Sequence, residues 1–165
     1  MIKKNYTAIV ALGSNLGNSI QIVQDAIFDL ATCPYMRVIQ SSSLYRTTPV
    51  GYSQQNDFIN AVCEINTTSD PLAFLEQLQI IEKKYQRIRT IHNGPRTLDL
   101  DLIDFEHYVW DTEELILPHP RAHYRSFVMV PFAEILPNYF FNQSTVCAWK
   151  EQLGVKGVQR LIRSR

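Results

Sequence analysis

Apolar residues recur along this chain with two periods, and the switches between them mark out its elements. Tyr6 to Leu12 is an apolar run of strand length. The turn Gly13-Ser14-Asn15-Leu16-Gly17-Asn18 follows it, and Ile20, Val23, Ala26, Ile27 and Leu30 then recur at helical spacing, with Asn18 placed as N-cap. Pro34 ends that helix, and Met36 to Tyr45 reads as a second strand. Residues 46–57 read as a long loop, and connections of that length without structure are often functional. Phe58 to Asn66 alternates as a strand, with Ile59, Ala61, Cys63 and Ile65 on one face and Phe58, Asn60, Val62 and Glu64 on an outward one. Asp70-Pro71 starts a second helix whose buried stripe is Leu72, Leu75, Leu78, Ile81 and Tyr85.

The next stretch organises the rest. In His92-Asn93-Gly94-Pro95-Arg96-Thr97-Leu98-Asp99-Leu100-Asp101-Leu102-Ile103 a Gly-Pro turn opens a period-2 run, with the leucines on one side and Asp99, Asp101 and Ile103 on the other. It reads as a half-buried strand. Tyr108 to Trp110 then folds back as a short arm, and Leu115 to Arg121 is too interrupted by proline for a helix. Phe127 to Ile135 reads as a helix kinked at Pro131, and Ser144 to Leu153 as one stopped by Gly154. Val158 to Ile162 reads as a strand or a helical turn. The order through Phe105 is β-α-β-β-α-β, which predicts an α+β fold with a ferredoxin-like core: an antiparallel sheet with two helices on one face and loops carrying the site on the other.

Two carboxylates two residues apart on a strand point the same way and repel unless something compensates them. Asp99 and Asp101 are therefore either the wet face of an amphipathic strand or oxygen ligands for Mg²⁺. Arg96 stands at the mouth of the same strand, where its fork could meet a phosphate. Carboxylates, metal and arginine together point to phosphoryl chemistry. The Gly13–Asn18 turn could cradle a phosphate, but tight-turn geometry and capping explain it better, since it has neither the lysine nor the spacing of a P-loop.

Composition narrows the class. The chain has 165 residues, 45% hydrophobic and 19% charged, enough for the core of one domain spanning 1–165. Sixteen basic and sixteen acidic residues give zero formal charge, so no nucleic-acid or membrane footprint is expected. Cys33, Cys63 and Cys147 are widely spaced and form no paired motif, as expected of reduced thiols in a cytoplasmic protein.

The central motif H-N-G-P-R-T-L-D-L-D-L-I resembles that of the 6-hydroxymethyl-7,8-dihydropterin pyrophosphokinase family of folate biosynthesis. So do A-L-G-S-N-L-G, S-S-L-Y-R-T-T-P-V-G-Y, D-F-I-N-A-V and L-P-H-P-R-A-H-Y-R-S-F-V-M-V-P, in the right order over nearly the whole chain. The resemblance implies transfer of the β,γ-pyrophosphoryl unit of ATP to the pterin hydroxymethyl group, with release of AMP. It implies two Mg²⁺ ions on Asp99 and Asp101, with Arg87, Arg96 and Asp101 as catalytic residues. Gln79, Glu82, Arg87, Arg96, His119 and Arg125 would surround ATP, and Thr47, Val50, Phe58, Asn60 and Phe127 would line the pterin pocket. ATP and the pterin are the expected partners of a monomer. The segment Thr90-Ile91-His92-Asn93 is shorter and less basic than in some members, Glu114 stands where a basic residue often contacts ATP, and Pro120 where an aromatic can stack. Two rival readings are another phosphotransferase on the same fold, disfavoured by Phe58, Asn60 and Phe127, and a non-catalytic ligand sensor, disfavoured by the aspartates and arginines.

Overall fold

The computed structural model describes residues 4–48, 56–85 and 97–161. The elements are β1 (Tyr6–Ser14), α1 (Ser19–Thr32), β2 (Met36–Ser41), β3 (Tyr45–Thr47), β4 (Phe58–Thr67), α2 (Pro71–Lys84) and β5 (Asp99–Phe105). Then come the small hairpin β6 (Trp110–Asp111) and β7 (Ile116–Leu117), a 3-10 turn (Ala122–Tyr124), α3 (Ser126–Ile135), the hairpin β8 (Phe140–Phe141) and β9 (Ser144–Thr145), α4 (Val146–Leu153) and β10 (Val158–Arg160). Six strands form one antiparallel sheet in the order β10-β3-β4-β1-β5, with β2 also paired to β4.

Local chemistry sets the helix starts where the sequence placed them. The side chain of Asn18 accepts from Gln21 N at the head of α1, and that of Asp70 from Ala73 N at the head of α2, ahead of Pro71. Gly154, at φ +80°, terminates α4 in a conformation that costs a β-carbon-bearing residue energy.

Both faces of the sheet carry a core. On one, Leu98, Leu100 and Leu102 pack with Val23, Ala26 and Leu30 of α1 and Phe74, Leu78 and Ile81 of α2. On the other, Ile9, Ala11, Val62 and Ile103 pack against Val128, Met129, Phe132 and Ala133 of α3 and Val146 of α4. The register between β1 and β5 slips between Ile9 and Val10. That bulge lets Leu102 and Phe105, of opposite parity, reach the same core while Ile103 turns to the second.

Several expectations are corrected. The second face is not left to loops, because α3 and α4 cover part of it. The run from Met36 to Tyr45 is two strands. β4 is ten residues long and takes β2 along its Cys63–Thr67 end and β3 along its Phe58–Asn60 end. Ser42 bridges the break, its N–H donating to Val62 O at 2.8 Å and its hydroxyl accepting from Val62 N at 2.9 Å. Arg46 and Thr47 accordingly belong to a strand rather than a loop. The α2 stripe is Pro71, Phe74, Leu78 and Ile81, whereas Leu72 is 38% exposed. Val158–Arg160 is a strand, pairing with β3.

Candidate active site

Strand register brings the predicted residues of the sheet together. Tyr45 of β3 lies opposite Asn60 of β4, Asn60 opposite Gly13 of β1, and Gly13 opposite Asp99 of β5. Directly opposed residues in a sheet share a face, so Tyr45, Asn60 and Asp99 form one rung with a glycine gap between amide and carboxylate. The next rung on that face runs Val62, Ala11, Asp101. Thr47 and Phe58 pair beyond the first. Val62 is fully buried under α3, while Asp99 is half-buried and Asp101 exposed. Among the described residues, the end of that face left uncovered by α3 and α4 is therefore where the carboxylates emerge.

Asn60 does not point outward into solvent as the alternation implied; it is 6% exposed. Its amide nitrogen lies against β1, where a β-carbon on Gly13 would stand 3.0 Å from it. Among the described residues, Asn60 Oδ1 and Thr47 Oγ1 are buried without a hydrogen-bond partner. A buried acceptor or hydroxyl left unbonded costs free energy that a ligand edge can recover. In the sequence Gly13 reads as part of a turn, although glycine inside a strand pattern is itself a sign of close approach.

Phe127 enters from the first turn of α3, half-buried against the second core, with the Arg125 guanidinium 5.7 Å from its ring centre. His119 precedes that helix. Its backbone N–H donates to Ile103 O at 2.8 Å, tying it to β5. Its Nδ1 accepts from Arg121 N at 3.1 Å. Burial, reinforced by the charges of Arg125 and Arg121 and by His123, lowers its pKa to about 4. The ring is thus neutral near pH 7 with its hydrogen on Nε2, a donor suited to a phosphate or base edge.

On α2, Gln79 is exposed and Glu82 half-buried. Glu82 Oε2 accepts from Leu100 N at 2.9 Å, covering the free edge of β5 between the two aspartates. Val50, Arg87 and Arg96 lie outside the described residues, as do His92-Asn93-Gly94-Pro95, Thr90 and Ile91. A groove of about 570 Å³ beside the head of α1, lined by Gly17, Asn18, Arg46, Asp57 and Ile59 among others, contains none of the predicted site residues.

The donor set fits magnesium. Among the described residues no group of three or more histidines, cysteines or acids converges, so no all-protein cage exists there. Mg²⁺ is ordinarily held by one or two carboxylates completed by substrate phosphates and water, which is what Asp99 and Asp101 on one strand face offer. No helix among the described residues is long and apolar enough to cross a membrane.

The model of the 7,8-dihydro-6-hydroxymethylpterin-pyrophosphokinase (HPPK) family matches residues 9–137. The chain belongs to this family. Among relatives of HPPK type, the 2-amino-4-hydroxy-6-hydroxymethyldihydropteridine pyrophosphokinase of Bacillus subtilis is 39% identical over 158 residues, covering 92% of this chain and 95% of its own. The protein of the same name from Methylorubrum extorquens is 36% identical over 154 residues, covering 93% and 98%. Among solved structures, a Plasmodium falciparum HPPK-DHPS with SDX-DHP superposes with a TM-score of 0.76 at 14% identity, covering 96% of this chain. The chain spans about half of that longer one, 49%, and at this identity the likeness shows the fold alone.

Proposed function

We propose that the open end of the α3-covered face is where this chain, a pyrophosphokinase of folate biosynthesis, transfers pyrophosphate from ATP to 6-hydroxymethyl-7,8-dihydropterin. The observation that carries the reading is the rung Asn60–Gly13–Asp99: an amide with an unbonded buried oxygen on one side of a glycine gap, a carboxylate on the other. A pterin is a flat heteroaromatic with a rim of donors and acceptors. Asn60 and Thr47 read that rim, while Phe58 and Phe127 supply apolar faces, each stacking contact contributing on the order of 1 kcal/mol. Val50 belongs to the same pocket. Across the gap, Asp99 and Asp101 would hold the two Mg²⁺ ions, whose chemistry when bound would be to neutralise triphosphate charge.

The remaining residues position ATP. Neutral His119 donates through Nε2, and Arg125 adds positive charge beside it. Gln79 and Glu82 approach from α2, and Arg87 and Arg96 meet the charge that develops as the bond to the α-phosphate breaks. No side chain need become covalently attached, since the pterin hydroxyl is itself the nucleophile. The core is ferredoxin-like, the chain a single domain acting as a cytoplasmic monomer without nucleic acid or membrane. Incubation with Mg-ATP and 6-hydroxymethyl-7,8-dihydropterin is expected to yield AMP and the pterin diphosphate in equal amounts. ADP as the nucleotide product overturns the assignment.

A further inference from the structure

Beside the pterin pocket lies a polar cluster that the reaction itself does not use. Glu134, in the last turn of α3, accepts from Ser43 N at 3.0 Å, from the Ser43 hydroxyl at 3.0 Å and from the Tyr45 hydroxyl at 2.6 Å. Arg160 of β10 stands 3.8 Å from the same carboxylate and donates through Nε to Ser43 Oγ at 3.0 Å. These contacts join three elements that are far apart in sequence: α3, the start of β3, and β10. The pocket residues hang on the same elements. Tyr45 is the neighbour of Asn60 in the rung, Thr47 lies two residues along β3, and β10 backs them both, with Val158 opposite Thr47 and Arg160 opposite Tyr45.

Phe127 and Glu134 are seven residues apart on α3. That is about two helical turns, so both lie on one stripe about 10 Å apart. Whatever fixes Glu134 therefore fixes the rotation of α3 about its own axis, and with it the ring of Phe127. Pro131 makes this external tie matter. It has no N–H to return to the carbonyl of Phe127, so the turn carrying the ring lacks one of its internal hydrogen bonds.

We propose that Tyr45, Glu134 and Arg160 are positioning residues that hold α3 against β3 and so set the gap between Phe127 and Asn60 into which the pterin fits. The inference rests on the pocket lying between those two residues. Arg160 falls beyond the matched residues 9–137, so the last strand contributes to substrate fit from outside the matched segment.

The test compares Tyr45→Phe, Glu134→Gln, Arg160→Ala and Arg160→Lys with Asn60→Ala in steady-state kinetics, together with calorimetry of the pterin and of a non-hydrolysable ATP analogue. Tyr45→Phe and Glu134→Gln are expected to raise KM for the pterin about tenfold, the equivalent of one charge-assisted hydrogen bond, with kcat and KM for ATP within about twofold. Arg160→Ala gives a smaller rise, which Arg160→Lys reverses. Equal weakening of pterin and nucleotide binding, or a fall in kcat alone, overturns the proposal. Unchanged pterin binding in Tyr45→Phe, the mildest of the variants, overturns it too. If Asn60→Ala binds pterin normally, the pocket itself lies elsewhere. If Asn60→Ala is impaired while Tyr45→Phe and Glu134→Gln are not, the pocket stands and the brace fails.

Discussion

Asn60 and Gly13 face each other across β4 and β1, and the amide nitrogen of Asn60 occupies the space a β-carbon on Gly13 would enter, 3.0 Å from it. The contact is between a backbone and the end of a short side chain, so a substitution there moves the amide rather than the strand. In an ordinary strand, replacing glycine by alanine stabilises by reducing the freedom of the unfolded chain. Here Gly13→Ala is expected to leave the thermal midpoint nearly unchanged and to weaken pterin binding about tenfold by displacing the edge-reading amide. Calorimetry with the pterin and with an ATP analogue separates the two effects, and an unchanged pterin affinity would show that the position of Asn60 is not read by the ligand.

Among the described residues, Asp99 and Asp101 emerge on the part of their face that α3 and α4 do not cover, while Leu98, Leu100 and Leu102 carry the strand's core burial. Asp99→Ala and Asp101→Ala are therefore expected each to reduce Mg-dependent AMP release by about a thousandfold or more, since charge stabilisation by the metal is worth several kcal/mol, while the melting curve in metal-free buffer stays close to that of the parent. A melting midpoint that collapses without magnesium present would mean the carboxylates serve the fold.

Much of this arrangement was legible from the chain alone, and the exceptions have a common cause. The leucine alternation, the Asn18 and Asp70 caps and the Gly154 stop are local signals, each decided within a few residues. What covers a face is not local. Asn60 reads as outward because it alternates with Ile59 and Ala61, and nothing near it announces that α3 closes over Val62 next door. The break between β2 and β3 was hidden for a similar reason. Residues 36–45 are strand-like throughout, and only the length of β4 and the side chain of Ser42 divide them. The Tyr45–Glu134 bond joins positions 89 residues apart, which no periodicity can anticipate.

One buried acid, Asp104, bears on stability rather than turnover. Asp104 is 2% exposed, and the Tyr139 hydroxyl donates to its Oδ2 at 2.5 Å, with His107 3.4 Å from the same oxygen and its ring stacked on Tyr139. Burial raises the pKa of Asp104 although Tyr139 and His107 both act to lower it. Tyr139→Phe strips the carboxyl of its shortest bond and is expected to destabilise the fold by about 2 kcal/mol. Asp104→Asn, which keeps an acceptor and removes the buried charge, should cost less. Urea titrations at neutral pH check the order, and the reverse ranking would mean that the charge of Asp104 is itself stabilising.

His119 supplies a pH dependence whose sign follows from its surroundings. Its pKa falls from the ordinary 6.5 to about 4 in the folded chain, through burial first and then through Arg125, Arg121 and His123. The unfolded chain therefore binds this proton more readily than the folded one between those values. Stability rises with pH where the unfolded state holds more protons, so this residue favours unfolding progressively as pH drops from about 6.5 to about 4 and contributes no pH dependence above that window. His119→Asn removes the titrating group but keeps an amide that can take the Arg121 N–H bond. The variant should lose less of its melting midpoint than the parent when pH is lowered from about 7 to about 5, with the two curves parallel from about 7 to 8. Catalysis gives an independent reading, because a neutral donor has no ionisation to lose near neutrality. The parent's KM for ATP should be flat across the same upper range. With the measurement carried down to about pH 6, an inflection near 6.5 in that KM, absent from His119→Asn, would show that the ring is charged when ATP binds and that burial, with the arginines beside it, does not keep it neutral.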